Sequence, residues 1–288
     1  MEKVEGMLRK MNLSAEEKKG VRIKERGGGK KAAVAPVIKT QAMGKLFSEK
    51  LAHPDSLEQA LGKIWCPISG IECKGLGENK FLFNFLQSTG KKKALEEGPW
   101  NLSKELLVVR DLDERKSLDE LEFNFIPIWV QISGLPLGMM NVDTAEVIGD
   151  EIGEFLGADT DDGGGAVGRF LRIKVRLDIR EKLRRGVMVI TDGDEKERWC
   201  PLAYEYLPDF CFICGLLGHI DRLCEVTWPK GQPKPYDRSL KCLPPKKKST
   251  GEGGGRGELH SMLPWRSSSG GSGSRGSFGS WGKSEDRK

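Results

Sequence analysis

Hydrophobic and polar positions follow regular patterns from residue 42 to residue 206, and the period changes several times. In the first half, the helical spacing of apolar residues alternates with the two-residue period of strands. The predicted elements are, in chain order, a strand near 42–47, a helix over 53–65, two strands within 70–87, a helix within 88–100 and a strand over 104–112. This βαββαβ order predicts an RRM-like or ferredoxin-like α+β domain over residues 42–112.

One predicted strand of this domain carries an aromatic face. Phe81, Phe83 and Phe85 alternate with other residues and therefore point to one side of a sheet. RRM domains stack bases on aromatic residues of such a strand. Lys80 and Leu82 stand where the RRM pattern has small residues. We therefore expect the three phenylalanines to pack in the core.

A second α+β unit is predicted over residues 113–206. A strand within 126–136 and a helix within 143–157 are followed by a strand over 168–179, which alternates apolar and polar residues throughout. A hairpin over 186–204 is expected to turn at Asp192–Gly193. The fold class is thus α+β, with two small units in succession.

The two ends of the chain have a different composition. Residues 1–41 are charged and Gly-rich, and residues 227–288 are rich in Pro, Gly, Ser and basic side chains. Such segments bury too little apolar surface to fold, so we expect both to be disordered. The net charge of the chain is +5, and residues 246–288 alone carry nine Lys or Arg against four Asp or Glu. The basic character therefore belongs to the C-terminal tail.

Three of the seven cysteines and one histidine crowd into residues 211–224. No apolar segment typical of a signal peptide is evident, and seven is an odd number, so we expect reduced thiols rather than disulfides. The spacing is Cys-x2-Cys-x4-His-x4-Cys, and three thiolates with one imidazole suit tetrahedral Zn²⁺. Four protein ligands leave no open position, so the spacing predicts a structural metal. The predicted ligands are Cys211, Cys214, His219 and Cys224.

This cluster resembles the CCHC zinc knuckle of retroviral and retrotransposon nucleocapsid proteins. The stretches "KALEEGPWNL", "IPIWVQISGLPLGMMN", "GRFLRIKV", "RGVMV" and "YEYLPDFCFICGLLGH" resemble a plant family that joins a domain of unknown function to such a knuckle. That arrangement is typical of the first open reading frame of plant LINE-type retrotransposons and of genes derived from it. The resemblance covers roughly residues 42–226 and implies binding of zinc and of single-stranded RNA or DNA. The family's "YGPWLRA" segment is replaced here by "KPYDRSLKC".

The resemblance also suggests which knuckle residues contact bases. Phe212 would stack on a base, and Leu217 could line the cleft beside it. Alternatively, Phe212 merely packs the knuckle, residues 207–226, against the preceding domain. Residues 208–226 contain three acidic residues and one basic residue, so the knuckle alone is not suited to the phosphate contacts that dominate such affinities.

Positive charge is available in the strand before the knuckle. Residues 169–185 contain eight basic residues and two acidic ones, and alternation puts three of the basic ones on one side of a sheet. This pattern predicts a phosphate track, although a solvated strand face would give the same pattern. The predicted nucleic-acid contacts in this stretch are Arg172, Lys174, Arg176, Arg184 and Arg185.

Together these features predict a non-enzymatic, zinc-dependent protein that binds single-stranded RNA or DNA. The alternative is an adaptor that uses the acidic knuckle to bind a protein partner or a second copy of itself. No catalytic constellation is evident, and no apolar run reaches the length of a membrane span. A nuclear location is expected from the nucleic-acid interpretation and from the basic "PPKKK" run, with the cytoplasm as the alternative.

Overall fold

The computed structural model describes residues 40–161, 163–191, 196–229 and 231–245, and the isolated positions 14, 16–17 and 19–21. The disorder expected for residues 1–41 and 246–288 falls almost entirely outside these residues and stays a prediction. No helix among the described residues is long and apolar enough to cross a membrane.

The first unit is a five-stranded antiparallel sheet with two helices. Its elements are β1 (Gln41–Phe47), α1 (Pro54–Trp65), β2 (Ile71–Gly75), β3 (Lys80–Phe85), α2 (Ser88–Glu96), β4 (Trp100–Leu102) and β5 (Glu105–Asp111). The strand order is β2-β3-β1-β5-β4. The predicted βαββαβ order is confirmed, with the short β4 added because it pairs back onto β5.

Both faces of this first sheet are covered. Phe81, Phe83 and Phe85 are at most 2% exposed and lie on the side of the helices, where Trp65 of α1 packs edge-on against Phe83 at 5.2 Å. The expectation that these rings belong to the core is confirmed. The opposite face, represented by Met43, packs into the core of the second unit. The sheet therefore offers no open aromatic platform for bases.

The second unit is a six-stranded sheet with one helix. Its elements are β6 (Phe125–Ser133), α3 (Val142–Ile152), β7 (Glu154–Ala158), β8 (Phe170–Asp178), β9 (Gly186–Ile190), β10 (Glu197–Glu205) and β11 (Lys241–Cys242). The strand order is β11-β10-β6-β8-β7, and β9 pairs with β10. The predicted hairpin is confirmed as β9–β10, although its turn at 192–195 lies outside the described residues.

The alternating pattern read from the sequence determines how this sheet packs. Ile128 and Val130 of β6 and Ile173 and Val175 of β8 are fully buried, while the residues between them are not. The same cluster continues to Met43 in the first sheet, so one hydrophobic core joins the two predicted units. The first unit also has a core of its own between its sheet and its helices, which includes Leu57, Trp65 and Phe83. The boundary at residue 112 stays a prediction.

The disorder expected from residue 227 onward is wrong for residues 236–242. Leu240 is 2% exposed and belongs to the core. Lys241 and Cys242 pair in parallel with β10, and the Tyr206 amide donates to the Cys242 carbonyl at 3.1 Å. The composition of this segment, which is Pro-rich and basic, did not predict this packing, because one buried leucine and two strand-paired residues change an average composition very little.

Candidate metal centre

The four predicted ligands lie together in the structure. The ligand atoms of Cys211, Cys214, His219 and Cys224 all lie within 4.8 Å of one another. Cys214 Sγ and His219 Nε2 are 3.3 Å apart. In a tetrahedral zinc site with Zn–S bonds of about 2.3 Å, the ligand atoms are roughly 3.8 Å apart. The four ligand atoms therefore need to move only slightly closer together to coordinate one ion. No second group of three such side chains is as close among the described residues.

Backbone hydrogen bonds form the turn that carries the first two cysteines. The Gly215 amide donates to the Cys211 carbonyl at 2.9 Å, and the Cys211 amide donates to the Leu216 carbonyl at 3.0 Å. Gly215 has φ +79°, a conformation that side chains rarely adopt. A Cβ on Gly215 would also lie 2.3 Å from Cζ of Tyr236, so the ring of Tyr236 covers this turn. Glycine is required here for two independent reasons.

The cluster is anchored to the second sheet and is not a free module. Phe210 and Leu217 form a bridge across the turn, and both side chains are buried in the main core. The Leu183 amide donates to the Gly215 carbonyl at 2.9 Å, which joins the loop after β8 to the cysteine turn. Burial raises the pKa of the Cys211 thiol, and binding of a metal ion by this thiol would release its proton.

Two of the three acidic residues that made the knuckle unsuitable for phosphate have a lysine partner. Lys241 donates to Asp209 at 2.6 Å. Lys234 pairs with Asp221, which also accepts the Phe212 amide at 2.6 Å. Both lysines lie in the segment expected to be disordered, so the sequence alone could not reveal this neutralisation.

Two predicted base contacts occupy different environments. Leu217 is 6% exposed and packs in the core, so little of its side chain is open to a base, and its contact with a base stays a prediction. Phe212 is half-buried and meets Phe210 edge-on at a centroid distance of 5.0 Å. Phe212 also packs against the main core of the preceding unit, which fits the packing role that was its alternative, and stacking on a base stays a prediction.

Arg172 of the predicted phosphate track is engaged within the sheet. Its Nε and Nη2 donate to Glu205 at 2.8 and 2.9 Å, and its Nη1 donates to Asp159 at 3.0 Å. Its guanidinium also lies 3.8 Å from the ring centroid of Trp129. Every guanidinium nitrogen therefore has a partner, which gives Arg172 a structural role within the sheet, and its contact with phosphate stays a prediction.

The other two residues of the track line a large groove between the two sheets, of about 1690 Å³. Lys174 is half-buried, and this burial lowers the pKa of its amine. Arg176 pairs with Glu154. Five basic and five acidic side chains line this groove, so its charge does not complement a polyanion. Phosphate contacts by Lys174 and Arg176 stay predictions.

Arg184 and Arg185 line a smaller groove beside the cysteine turn, of about 510 Å³. Arg184 pairs with Glu151 of α3 at 2.7 Å. Arg185 donates to the Pro235 carbonyl at 3.0 Å and lies 5.6 Å from the ring centroid of Tyr236. Trp199 also lines this groove and was absent from the predicted contacts. In the structure it lies in β10, opposite Met188 of β9.

Comparison with known proteins supports the metal assignment locally. A zinc-knuckle family profile matches residues 177–226, which include β9, β10 and all four ligands. An Arabidopsis thaliana protein described as uncharacterized is 30% identical over 99 residues, or 34% of this chain. This chain spans 31% of the length of that relative. The chain thus contains a CCHC zinc-knuckle sequence and a Cys3His cluster suited to a metal ion.

Superposition on solved structures is partial. The RNA-binding domain of Hrp1 in complex with RNA matches with a TM-score of 0.24 and 12% identity, over 48% of this chain and 81% of that one. The first two RRM domains of the yeast poly(U)-binding protein match with a TM-score of 0.20 and 11% identity, over 57% of this chain and 98% of that one. These scores carry no argument about function, and the RRM-like order of the first sheet rests on its own strand pairing.

Proposed function

We propose that this protein binds single-stranded RNA or DNA through a zinc knuckle mounted on an α+β scaffold, and that it does so without catalysing a reaction. The observation that carries the proposal is the Cys3His cluster, whose four ligand atoms lie within 4.8 Å of one another inside the segment matched by the zinc-knuckle family. Zinc is the proposed ion because three thiolates and one imidazole are its usual structural ligands.

A closed ligand set supports a structural metal. Four protein ligands complete a tetrahedron and leave no position for a reactive water molecule. When bound, the ion would cross-link the turn at Cys211 and Cys214 to His219 and Cys224, and its binding energy would stabilise the fold of this short segment. The absence of an enzymatic role stays part of the proposal.

The lysines that pair with carboxylates of the knuckle reduce the negative charge that would repel a nucleic acid. Unpaired carboxylates near the knuckle would repel a phosphate backbone, and phosphate contacts dominate the affinity of nucleic-acid-binding proteins. Pairing of Asp209 with Lys241 and of Asp221 with Lys234 neutralises two of the three acidic residues in this segment. A polyanion could therefore approach this surface.

An origin in the first open reading frame of a plant LINE-type retrotransposon is proposed from the quoted stretches alone. Nuclear residence follows from the proposed ligand and from the basic run near residue 246. A fluorescent fusion of the chain, with and without residues 246–248, tests this location. Retention in the cytoplasm of both fusions would contradict it.

The function is tested by fluorescence anisotropy of labelled single-stranded RNA and DNA oligomers with the full chain, across a salt series. We expect binding that weakens with salt and is lost on zinc chelation, then restored by added Zn²⁺. Residues 1–245 are compared in parallel, because this compact unit lacks the basic tail. Binding that is unaffected by chelation would contradict the proposal.

An adaptor function is the second candidate. Ile220, Leu223 and Val226 in the second half of the knuckle are 44–53% exposed, and exposed apolar side chains close together in the chain favour a protein partner or self-association. Sedimentation equilibrium of the zinc-loaded chain tests self-association. A monomer that binds RNA tightly would favour the nucleic-acid proposal over this one.

A further inference from the structure

The smaller groove beside the metal cluster is built from the loop after β8 and from the cysteine turn. Its lining runs from Arg180 to Gly186 and includes Trp199, Leu216 and Tyr236. The hydrogen bond from Leu183 to Gly215 holds the loop against the turn. The groove's volume of about 510 Å³ lies within the range of about 300–1,000 Å³ that is usual for ligand pockets. The turn that carries the first two cysteines therefore forms part of one wall of this groove, through Leu216.

Trp199 presents an indole ring that is only partly covered. A Cβ on Gly186 would lie 2.4 Å from Cζ2 and 2.5 Å from Cε2 of Trp199, so the ring rests directly on that glycine. The residue is nevertheless 49% exposed. Apolar side chains of this size are usually buried, and an indole that is fixed on one side and open on the other suits stacking with a planar partner.

The charge of the groove favours an anion. Arg180, Lys182, Arg184 and Arg185 line it, against Glu181 as the single acidic residue in the lining. Arg180 and Arg184 have carboxylate partners outside the groove, and Arg185 is engaged by a backbone carbonyl. Lys182 is exposed and has no carboxylate partner among the described residues. Lys182 and Arg185 are therefore the charges most available to a ligand.

We infer that this groove is the nucleotide-binding site of the protein, with a base of single-stranded RNA or DNA stacked on Trp199 and the adjoining phosphate near Lys182 and Arg185. The inference rests on the proposed function and moves base recognition from Phe212 to a residue outside the knuckle. Basic side chains combined with an aromatic platform are the usual elements of single-strand binding. The larger groove has balanced charge, and the aromatic face of the first sheet is buried.

The test measures anisotropy of a labelled single-stranded RNA with the zinc-loaded full chain and with Trp199→Ala. Loss of one stacked base weakens binding by roughly 5- to 150-fold. Trp228→Ala is the matched control, because Trp228 lies outside the groove and bonds only the Gln232 carbonyl among the described residues. Trp199→Phe keeps an aromatic ring and is expected to bind within a few-fold of the unaltered chain. Zinc content and melting temperature verify that each variant is folded.

An oligomer with an abasic position separates stacking from folding. If Trp199 stacks on a base, the unaltered chain loses affinity for the abasic oligomer, and Trp199→Ala adds little further loss there. Lys182→Ala is expected to reduce the slope of log K against log salt by about 0.7, the value for one phosphate contact on a single strand. An unchanged slope would overturn the phosphate assignment.

The two proposals fail in different ways. Zinc-dependent binding that is equal for the unaltered chain and Trp199→Ala would overturn the groove and leave the proposed function intact. Equal losses in Trp199→Ala and Trp228→Ala would also overturn it, because the effect would not belong to the groove. Absence of binding by the unaltered, zinc-loaded chain would overturn both.

Discussion

Replacement of Arg172 by methionine tests how the second sheet is held together. The Glu205 side chain is 2% exposed and depends on Arg172 for two hydrogen bonds, at 2.8 and 2.9 Å. In the variant, Gln131 Nε2, at 2.8 Å, would be the remaining donor to this buried carboxylate. Removing one partner of a buried ion pair costs about 3–5 kcal/mol, because the other charge is left without compensation. That is a large fraction of the roughly 5–15 kcal/mol that keeps a domain folded.

The assay is urea unfolding of the zinc-saturated full chain, followed by circular dichroism. Arg172→Met is compared with the double variant Arg172→Met/Glu205→Leu, which removes the orphaned charge as well. We expect the double variant to recover much of the lost stability, since apolar replacement of a buried pair is often neutral. A loss below about 1 kcal/mol in the single variant would show that the Arg172–Glu205 pair does not behave as a buried one, because that is the range of a solvent-exposed pair.

Three further predictions concern the metal cluster and the segment after it. Cys214→Ser removes one of four ligands, so we expect zinc to be lost to a weak chelator that leaves the unaltered chain loaded, as read by atomic absorption. Gly215→Ala places a Cβ against a packed aromatic ring at φ +79°, and we expect faster zinc loss in the same competition. Gly231→Ala is its control, because φ is +88° there but no atom lies within 4 Å of the added Cβ. Equal rates of zinc loss in the two variants would contradict the steric argument. Leu240→Ala is expected to lower the free energy of unfolding by about 2–5 kcal/mol. Its control, Leu243→Ala, is expected to lower it by less than about 0.5 kcal/mol. Equal losses in the two variants would contradict the packing of this segment against the core.

The sequence pattern predicted the structure correctly where that structure depends on local periodicity. Alternation in β8 placed Ile173 and Val175 in the core, and the spacing of Cys211 and Cys214 predicted a turn that brings both sulfurs to one ion. These features depend on residues within one element or one loop. Their geometry follows from the two-residue period of a strand and from the short gap between ligands.

Features that depend on the pairing of distant segments were not predictable in the same way. Arg172 and Glu205 are 33 residues apart in the chain. Their strands, β8 and β10, lie on either side of β6, and the two side chains meet across it. The sequence showed a basic strand face, but only the sheet order shows that a buried carboxylate faces it. Similarly, Lys241 reaches Asp209 because β11 pairs with β10, and the composition of that segment predicted disorder.

Trp199 is a further residue that the sequence analysis did not identify as a candidate contact. Its alternating position in β10 was readable, but its role depends on Gly186 of the neighbouring strand, which leaves room for the ring. The register that sets these residues side by side is fixed by the β9–β10 pairing, in which Pro201 lies opposite Gly186 and Met188 opposite Trp199. A glycine in a strand is a recognised sign of close approach, and it is the signal that could have identified this site.

Native mass spectrometry of the full chain with a single-stranded RNA oligomer tests whether RNA binding depends on zinc, because zinc and RNA are counted on the same molecule. A partially chelated sample contains both zinc-loaded and zinc-free chains. We expect one zinc ion per chain and RNA bound to the zinc-loaded chains alone. RNA distributed equally between the two populations would contradict a zinc-dependent nucleic-acid-binding function.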